Sequence, residues 1–179
     1  MGTGIPKGLK RYYGRGDLHF ITFSCYRRLP LLGSAKARNL IVRVLGEVRE
    51  RYRFTIIGYV VMPDHVHLLM GEPTVGTPSA VLKAVKQSVS RQLRRTRRRK
   101  QPPGQLQLTF AKNELPRFWQ RRFYDFNVWS AKKVREKLEY RHRNPITRRL
   151  VDHPKDWPWS SWSFYQGQGP RLIEMDHVP

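Results

Sequence analysis

Gly58-Tyr-Val-Val-Met-Pro-Asp-His-Val-His-Leu-Leu-Met70 is the stretch whose reading decides the fold. Apolar, β-branched residues lie on both sides of Met62-Pro63-Asp64, and Pro with Asp is turn chemistry, so the stretch reads as two strands joined tightly. His65 and His67 open the second strand. Side chains alternate across a strand, which puts both imidazoles on one face with alpha carbons about 6.6 Å apart. At that separation they can close on one metal ion. Two surface or hydrogen-bonded histidines are the competing reading, and the pair alone does not choose between them.

Upstream, Leu18-His-Phe-Ile-Thr-Phe-Ser-Cys-Tyr26 is dense in β-branched and aromatic residues and predicts a central strand. Ser34 can cap a helix over about residues 35–52, in which Leu40, Val44 and Val48 recur every four positions. Downstream, Val81, Val85, Val89 and Leu93 predict a second helix over about 79–95, with Lys83, Lys86, Arg91 and Arg94 on its other flank. The basic run Arg94-Arg-Thr-Arg-Arg-Arg-Lys100 is expected to leave that helix into a loop. Phe118-Trp-Gln-Arg-Arg-Phe-Tyr-Asp-Phe-Asn-Val128 supplies a closing strand, with Phe118 and Phe123 packed and its arginines reaching outward. The order predicts an α+β, ferredoxin-like fold with a central antiparallel sheet.

Ser130 is the natural cap of a third helix running to about Asn144. Ala131, Val134, Leu138 and His142 share its apolar face. Tyr140 falls instead on a ridge with Lys133, Lys137 and Asn144, an odd place for a tyrosine used only as core filling. His142 reads as a packed or capped histidine. Asn144 before Pro145 has two readings: the cap of a following helix, or an amide oxygen one turn from Tyr140 that completes a metal site.

The charge balance names the partner class. Lys and Arg number 35 against 13 Asp and Glu, a net charge of +22, and the sequence pI is near 11.1. Such a surplus favours a polyanion, nucleic acid first, with salt-dependent attraction. Aromatics interleaved with arginines suit single strands, whose bases stack while phosphates pair. Cys25 is the only cysteine, which excludes an internal disulfide and a four-thiolate zinc site. No stretch reads as a signal peptide or membrane span, so a cytoplasmic, nucleoid-associated setting is expected. The chain divides into a basic arm (1–16), one domain (17–152) and a C-terminal tail (153–179).

Taken together, Pro63-Asp64-His65-Val66-His67, Tyr140-Arg-His-Arg-Asn144-Pro145 and Phe118-Trp-Gln-Arg-Arg-Phe-Tyr-Asp125 resemble the motifs of the single-tyrosine HUH transposases. Asp156-Trp-Pro-Trp-Ser-Ser161 is similar to the tail of their REP-associated tyrosine transposase branch. The resemblance implies an HUH-type nuclease that cleaves single-stranded DNA near a hairpin and transfers strands. It implies His65 and His67 as ligands of a divalent ion, Mg or Mn, Asn144 as third ligand and Tyr140 as the nucleophile that forms a 5′-phosphotyrosine bond. Related transposases often carry Gln where Asn144 stands, and a basic residue where Phe126 or Trp129 stands.

DNA contacts are expected from Lys10, Arg11, Arg15, Arg91, Arg94, Arg95, Arg121, Arg122, Lys133 and Lys137. The protein is expected to act as a monomer or a homodimer. Two rivals share the scaffold: a protein that binds structured single-stranded DNA without cutting it, and a nuclease that uses activated water and leaves no covalent intermediate.

Overall fold

The computed structural model describes residues 12–99, 117–169 and 171–178. Its elements run β1 (Leu18–Ser24), α1 (Ala35–Tyr52), β2 (Ile56–Val61), β3 (His65–Met70), α2 (Pro78–Arg99), β4 (Tyr124–Val128), α3 (Ala131–Thr147) and α4 (Trp162–Gln166). The four strands form one antiparallel sheet in the order β2-β3-β1-β4. This is the ferredoxin-like arrangement that the strand and helix order predicts.

Alternation along the strands builds two cores. Ile21 and Phe23 of β1 with Val66, Leu68 and Met70 of β3 face α1 and α2, against Val44, Val48, Val81, Val85 and Val89. Leu18 and Phe20, with Ile57 and Leu69, face the other way and meet Val134 and Leu138 of α3. The register pairs Phe20 with Leu69, Thr22 with His67 and Ser24 with His65. Both histidines therefore lie on the α3 face, and one step of slippage would bury them under α1 and α2.

The helix starts follow local chemistry. Ser34 Oγ accepts from Ala37 N at 3.2 Å and Ser130 Oγ from Lys133 N at 3.3 Å, each satisfying an orphan amide of a first turn. Two helices depart from expectation. The second continues to Arg99, so Arg94 and its neighbours are helical rather than a loop. The third does not stop at Asn144; Pro145 lies inside it. Proline removes one amide donor from the ladder, and α3 ends within the next turn, where Arg149 takes φ 54°.

The apolar face of α3 also differs from its expected composition. Ala131 is exposed, and the buried positions are Val134, Leu138, Arg141, Asn144 and Pro145. Arg141 has no exposed surface, and its Nη1 and Nη2 make no hydrogen bond among the described residues; its Nε donates to the Lys137 carbonyl at 3.1 Å. The guanidinium fits because position 58 is glycine: a Cβ there would collide with Arg141 Nη2 and lie 2.8 Å from Leu138 Cδ2.

The C-terminal segment lies along the outer edge of β2. Val61 N donates to Trp159 O at 2.8 Å, Ser161 N to Tyr59 O at 2.9 Å and Asp176 N to Ile56 O at 2.9 Å. Ile56 N donates to Asp176 Oδ2 at 2.8 Å, and Arg49 of α1 pairs with the same carboxylate. Among the described residues, no helix is long and apolar enough to cross a membrane.

Candidate active site

β3 delivers His65 and His67 to the α3 face, where their Nε2 atoms converge to 3.0 Å. Their rings meet nearly edge to face, with centroids 4.7 Å apart. Both are buried, 3% and 5% exposed, which is rare for histidines without a role for their polar atoms.

The far nitrogens are held by oxygens. Thr22 Oγ1 lies 2.7 Å from His67 Nδ1, and Asp64 Oδ1 lies 2.7 Å from His65 Nδ1. An imidazole that donates through Nδ1 presents a lone pair at Nε2, so with both rings in that tautomer the two Nε2 lone pairs would face one point. Two nitrogens each about 2.1 Å from an ion at a right angle would lie about 3 Å apart, so the observed pair fits.

Burial and nearby charge favour the neutral form of His67. Burial first, then His65, Arg141 and Arg28, pull His67 well below the usual histidine value, and a ligand imidazole must be neutral. Burial alone would raise the Asp64 carboxyl. The hydrogen bond and charge of His65, with Arg28 and Arg148, outweigh it and hold the carboxyl at about 2. Arg28 Nη2 lies 3.0 Å and Arg148 Nη2 3.4 Å from Asp64 Oδ2. Arg27 and Arg28 both occupy the left-handed region, at φ 51° and 55°, a strained backbone of the kind that gathers at functional sites.

α3 supplies the rest. Tyr140 is 57% exposed, and its ring stands edge to face with His67 at 5.6 Å between centroids. Asn144 lies one turn further along the same ridge; it is 8% exposed and its side-chain amide makes no hydrogen bond among the described residues. No group of three or more His, Cys, Asp or Glu placed to hold a metal occurs among the described residues.

The expected DNA contacts fall into separate places. Lys10 and Arg11 lie outside the described residues. Arg15 is exposed, its guanidinium 4.5 Å from the Tyr12 ring centroid. Arg91, Arg94 and Arg95 are exposed on α2, on the opposite face of the sheet from the histidines. Arg121 and Arg122 are exposed just before β4. Lys133 and Lys137 stand on the α3 ridge with Tyr140; Lys133 pairs with Glu136 at 2.9 Å, and the Lys137 ammonium sits 4.7 Å from the Phe20 ring centroid. Lys86, expected on the flank opposite the apolar stripe, is half-buried: its ammonium donates to Gln120 O at 3.0 Å, and burial lowers it to about 8.

The Transposase IS200 like family model matches residues 13–140, a span that takes in the histidine pair and reaches Tyr140. The chain belongs to this IS200-like transposase family. Two curated proteins that carry the name REP-associated tyrosine transposase are similar to it. The Haemophilus influenzae protein is 28% identical over 161 residues, 86% of this chain and 84% of that one. The Escherichia coli K12 protein is 26% identical over 153 residues, 86% and 81% of the two chains.

A solved structure described as a REP-associated tyrosine transposase bound to a REP hairpin superposes with a TM-score of 0.69. It is 21% identical, and the match covers 97% of this chain and 94% of that one, which shows a shared fold. Of this transposase's site, the sequence left out Thr22, Arg28, Arg148 and the histidine-holding use of Asp64. Only the cross-strand pairing of Thr22 with His67 and the adjacency of Asp64 to His65 could have signalled two of them.

Proposed function

We propose that the protein is a metal-dependent endonuclease and strand transferase that cleaves single-stranded DNA near hairpins. The observation that carries this is the meeting of three groups on one sheet face. The Nε2 atoms of His65 and His67 converge at 3.0 Å, and the exposed Tyr140 ring stands 5.6 Å from that of His67.

His65 and His67 would hold a divalent ion, Mg or Mn, with the Asn144 amide oxygen as third donor; when bound, the ion draws negative charge from a non-bridging phosphate oxygen. Asp64 and Thr22 keep the two imidazoles oriented. The Tyr140 oxygen attacks phosphorus and loses its proton to solvent, and the bond from phosphorus to the 3′ oxygen breaks as that oxygen takes a proton from solvent. A 5′-phosphotyrosine and a free 3′ hydroxyl result. Attack by a 3′ hydroxyl on that linkage reverses the step and restores the phenol, so ends join without a nucleotide energy source. The family membership and the REP-associated relatives support this reading.

The test is incubation with short hairpin oligonucleotides bearing unpaired flanks, in manganese, followed by a denaturing gel. A protein-DNA adduct that survives denaturation, with a free 3′ end on the released strand, is expected. Cut DNA without any adduct would point to water as the nucleophile and end this assignment.

A further inference from the structure

A run of aromatic rings leads from the surface to the histidine pair. Trp129, on the turn between β4 and α3, is 72% exposed. Its ring lies 5.8 Å from that of Phe126, which lies 6.5 Å from Tyr124 with the two planes within 5°. Tyr124 stands 6.4 Å from Phe20, and Phe20 stacks on His67 at 5.6 Å. The register explains the line: Phe126 pairs with Phe20 and Tyr124 with Thr22, the residue that holds His67.

Trp129 is not there to pack α3. It occupies the position before the Ser130 cap, where an apolar residue commonly staples onto the fourth helical position. That position is Val134, which is buried, whereas most of the indole faces solvent. A tryptophan this exposed beside two half-buried rings offers flat apolar faces to a planar partner.

Cations line the strip. Lys137 Nζ sits 4.7 Å from the Phe20 centroid and 5.4 Å from that of Phe126, and exposed Lys133 is one turn nearer Trp129. The ring steps of 5.8 and 6.5 Å are nearly twice the 3.4 Å rise per nucleotide of a stacked strand. Bases lying on these rings are therefore splayed apart, as in an unpaired strand and unlike a duplex.

We infer that Trp129, Phe126 and Tyr124 form a stacking track for the unpaired bases of single-stranded DNA, with Lys137 and Lys133 on its phosphates, leading to the His65–His67 pair. This rests on the proposed function for what happens at the end of the track. Recognition by stacking is tolerant of sequence, so the track measures how much strand is unpaired rather than which bases it holds.

The test uses Tyr140→Phe protein, so that no chemistry intervenes, and two probes of equal charge: an oligothymidylate of about twelve nucleotides and an abasic strand of the same length. The thymidylate is expected to bind more tightly, and Trp129→Ala to lower its affinity roughly five- to hundredfold while leaving the abasic strand unchanged. Trp129→Phe, which keeps a ring, should restore most of the difference. Ultraviolet crosslinking of a thymidylate carrying one 5-iododeoxyuridine should map to Trp129. Equal binding of the two probes, indifference to Trp129→Ala, or a crosslink confined to α2 would each overturn the track. Base-dependent binding intact here, together with no adduct from the parent protein on hairpin oligonucleotides, would sink the cleavage reading alone.

Discussion

Thr22 and His67 are cross-strand partners whose side chains meet at 2.7 Å, hydroxyl to Nδ1. The sheet register thereby brings the hydroxyl that orients the His67 ring. Thr22→Val keeps the shape and removes the oxygen, and manganese affinity by isothermal titration should fall about 10–100-fold. Thr22→Ser should restore most of it. An unchanged affinity in the valine variant would show that Thr22 does not set the ligand.

Tyr140 is more than half exposed, so Tyr140→Phe should change stability by less than about 0.5 kcal/mol. Hairpin binding in a gel shift should persist, and the adduct on a denaturing gel should vanish. An undiminished adduct would move the nucleophile to another tyrosine, with Tyr12, Tyr13 and Tyr124 next in line.

Arg141 places under α3 a cation that meets no carboxylate among the described residues, and burial lowers its guanidinium to about 9. Burying Val134 and Leu138 contributes about 1.5–3 kcal/mol each, while leaving a buried charge unpartnered costs a comparable amount. Arg141→Met should therefore stabilise the fold by about 1–4 kcal/mol in urea denaturation. Gly58→Ala should destabilise it by about 1–3 kcal/mol, because the new methyl group meets Arg141 and Leu138. In the Arg141→Met background that penalty should shrink, and equal penalties in both backgrounds would place the collision elsewhere.

His19, fully buried, lies 2.9 Å from Asp125 and 3.4 Å from Glu72, and Tyr13 donates to Asp125 at 3.4 Å. Burial alone would lower its pKa, but the hydrogen bonds and charges of Asp125 and then Glu72 overcome it and raise it above 6.5. A raised histidine contributes stability that is complete below the unfolded value of about 6.5 and is lost as pH rises through the folded value. Thermal midpoints should therefore decline as pH rises above about 6.5 in the parent protein, and by less in His19→Gln. Parallel pH profiles would mean that His19 is neutral throughout.

Strand alternation and helix periodicity were enough to read the sheet and the first helix, because Ile21, Phe23, Val66 and Leu68 are buried for the same reason that they recur. Helix ends were harder. A basic run can be solvated on a helix as well as in a loop, and Asn-Pro can start a helix or pass through its last turn, so Arg99 and Thr147 were not legible as termini. The histidine face followed from spacing, whereas Thr22 is identified only by register, which no local pattern displays. Arg141 was invisible because an arginine among lysines reads as surface, and only Gly58 across the interface makes room for it.

The strap of C-terminal residues over β2 has a consequence for handling the protein. Ile56, Tyr59 and Val61 each give a main-chain amide to this strap, through Asp176, the Ser161 hydroxyl and the Trp159 carbonyl. Clipping the chain after the third long helix would leave those donors bare along an apolar ribbon, which recruits a neighbouring molecule's strand. A shortened version would self-associate and precipitate at concentrations where the intact chain stays dispersed.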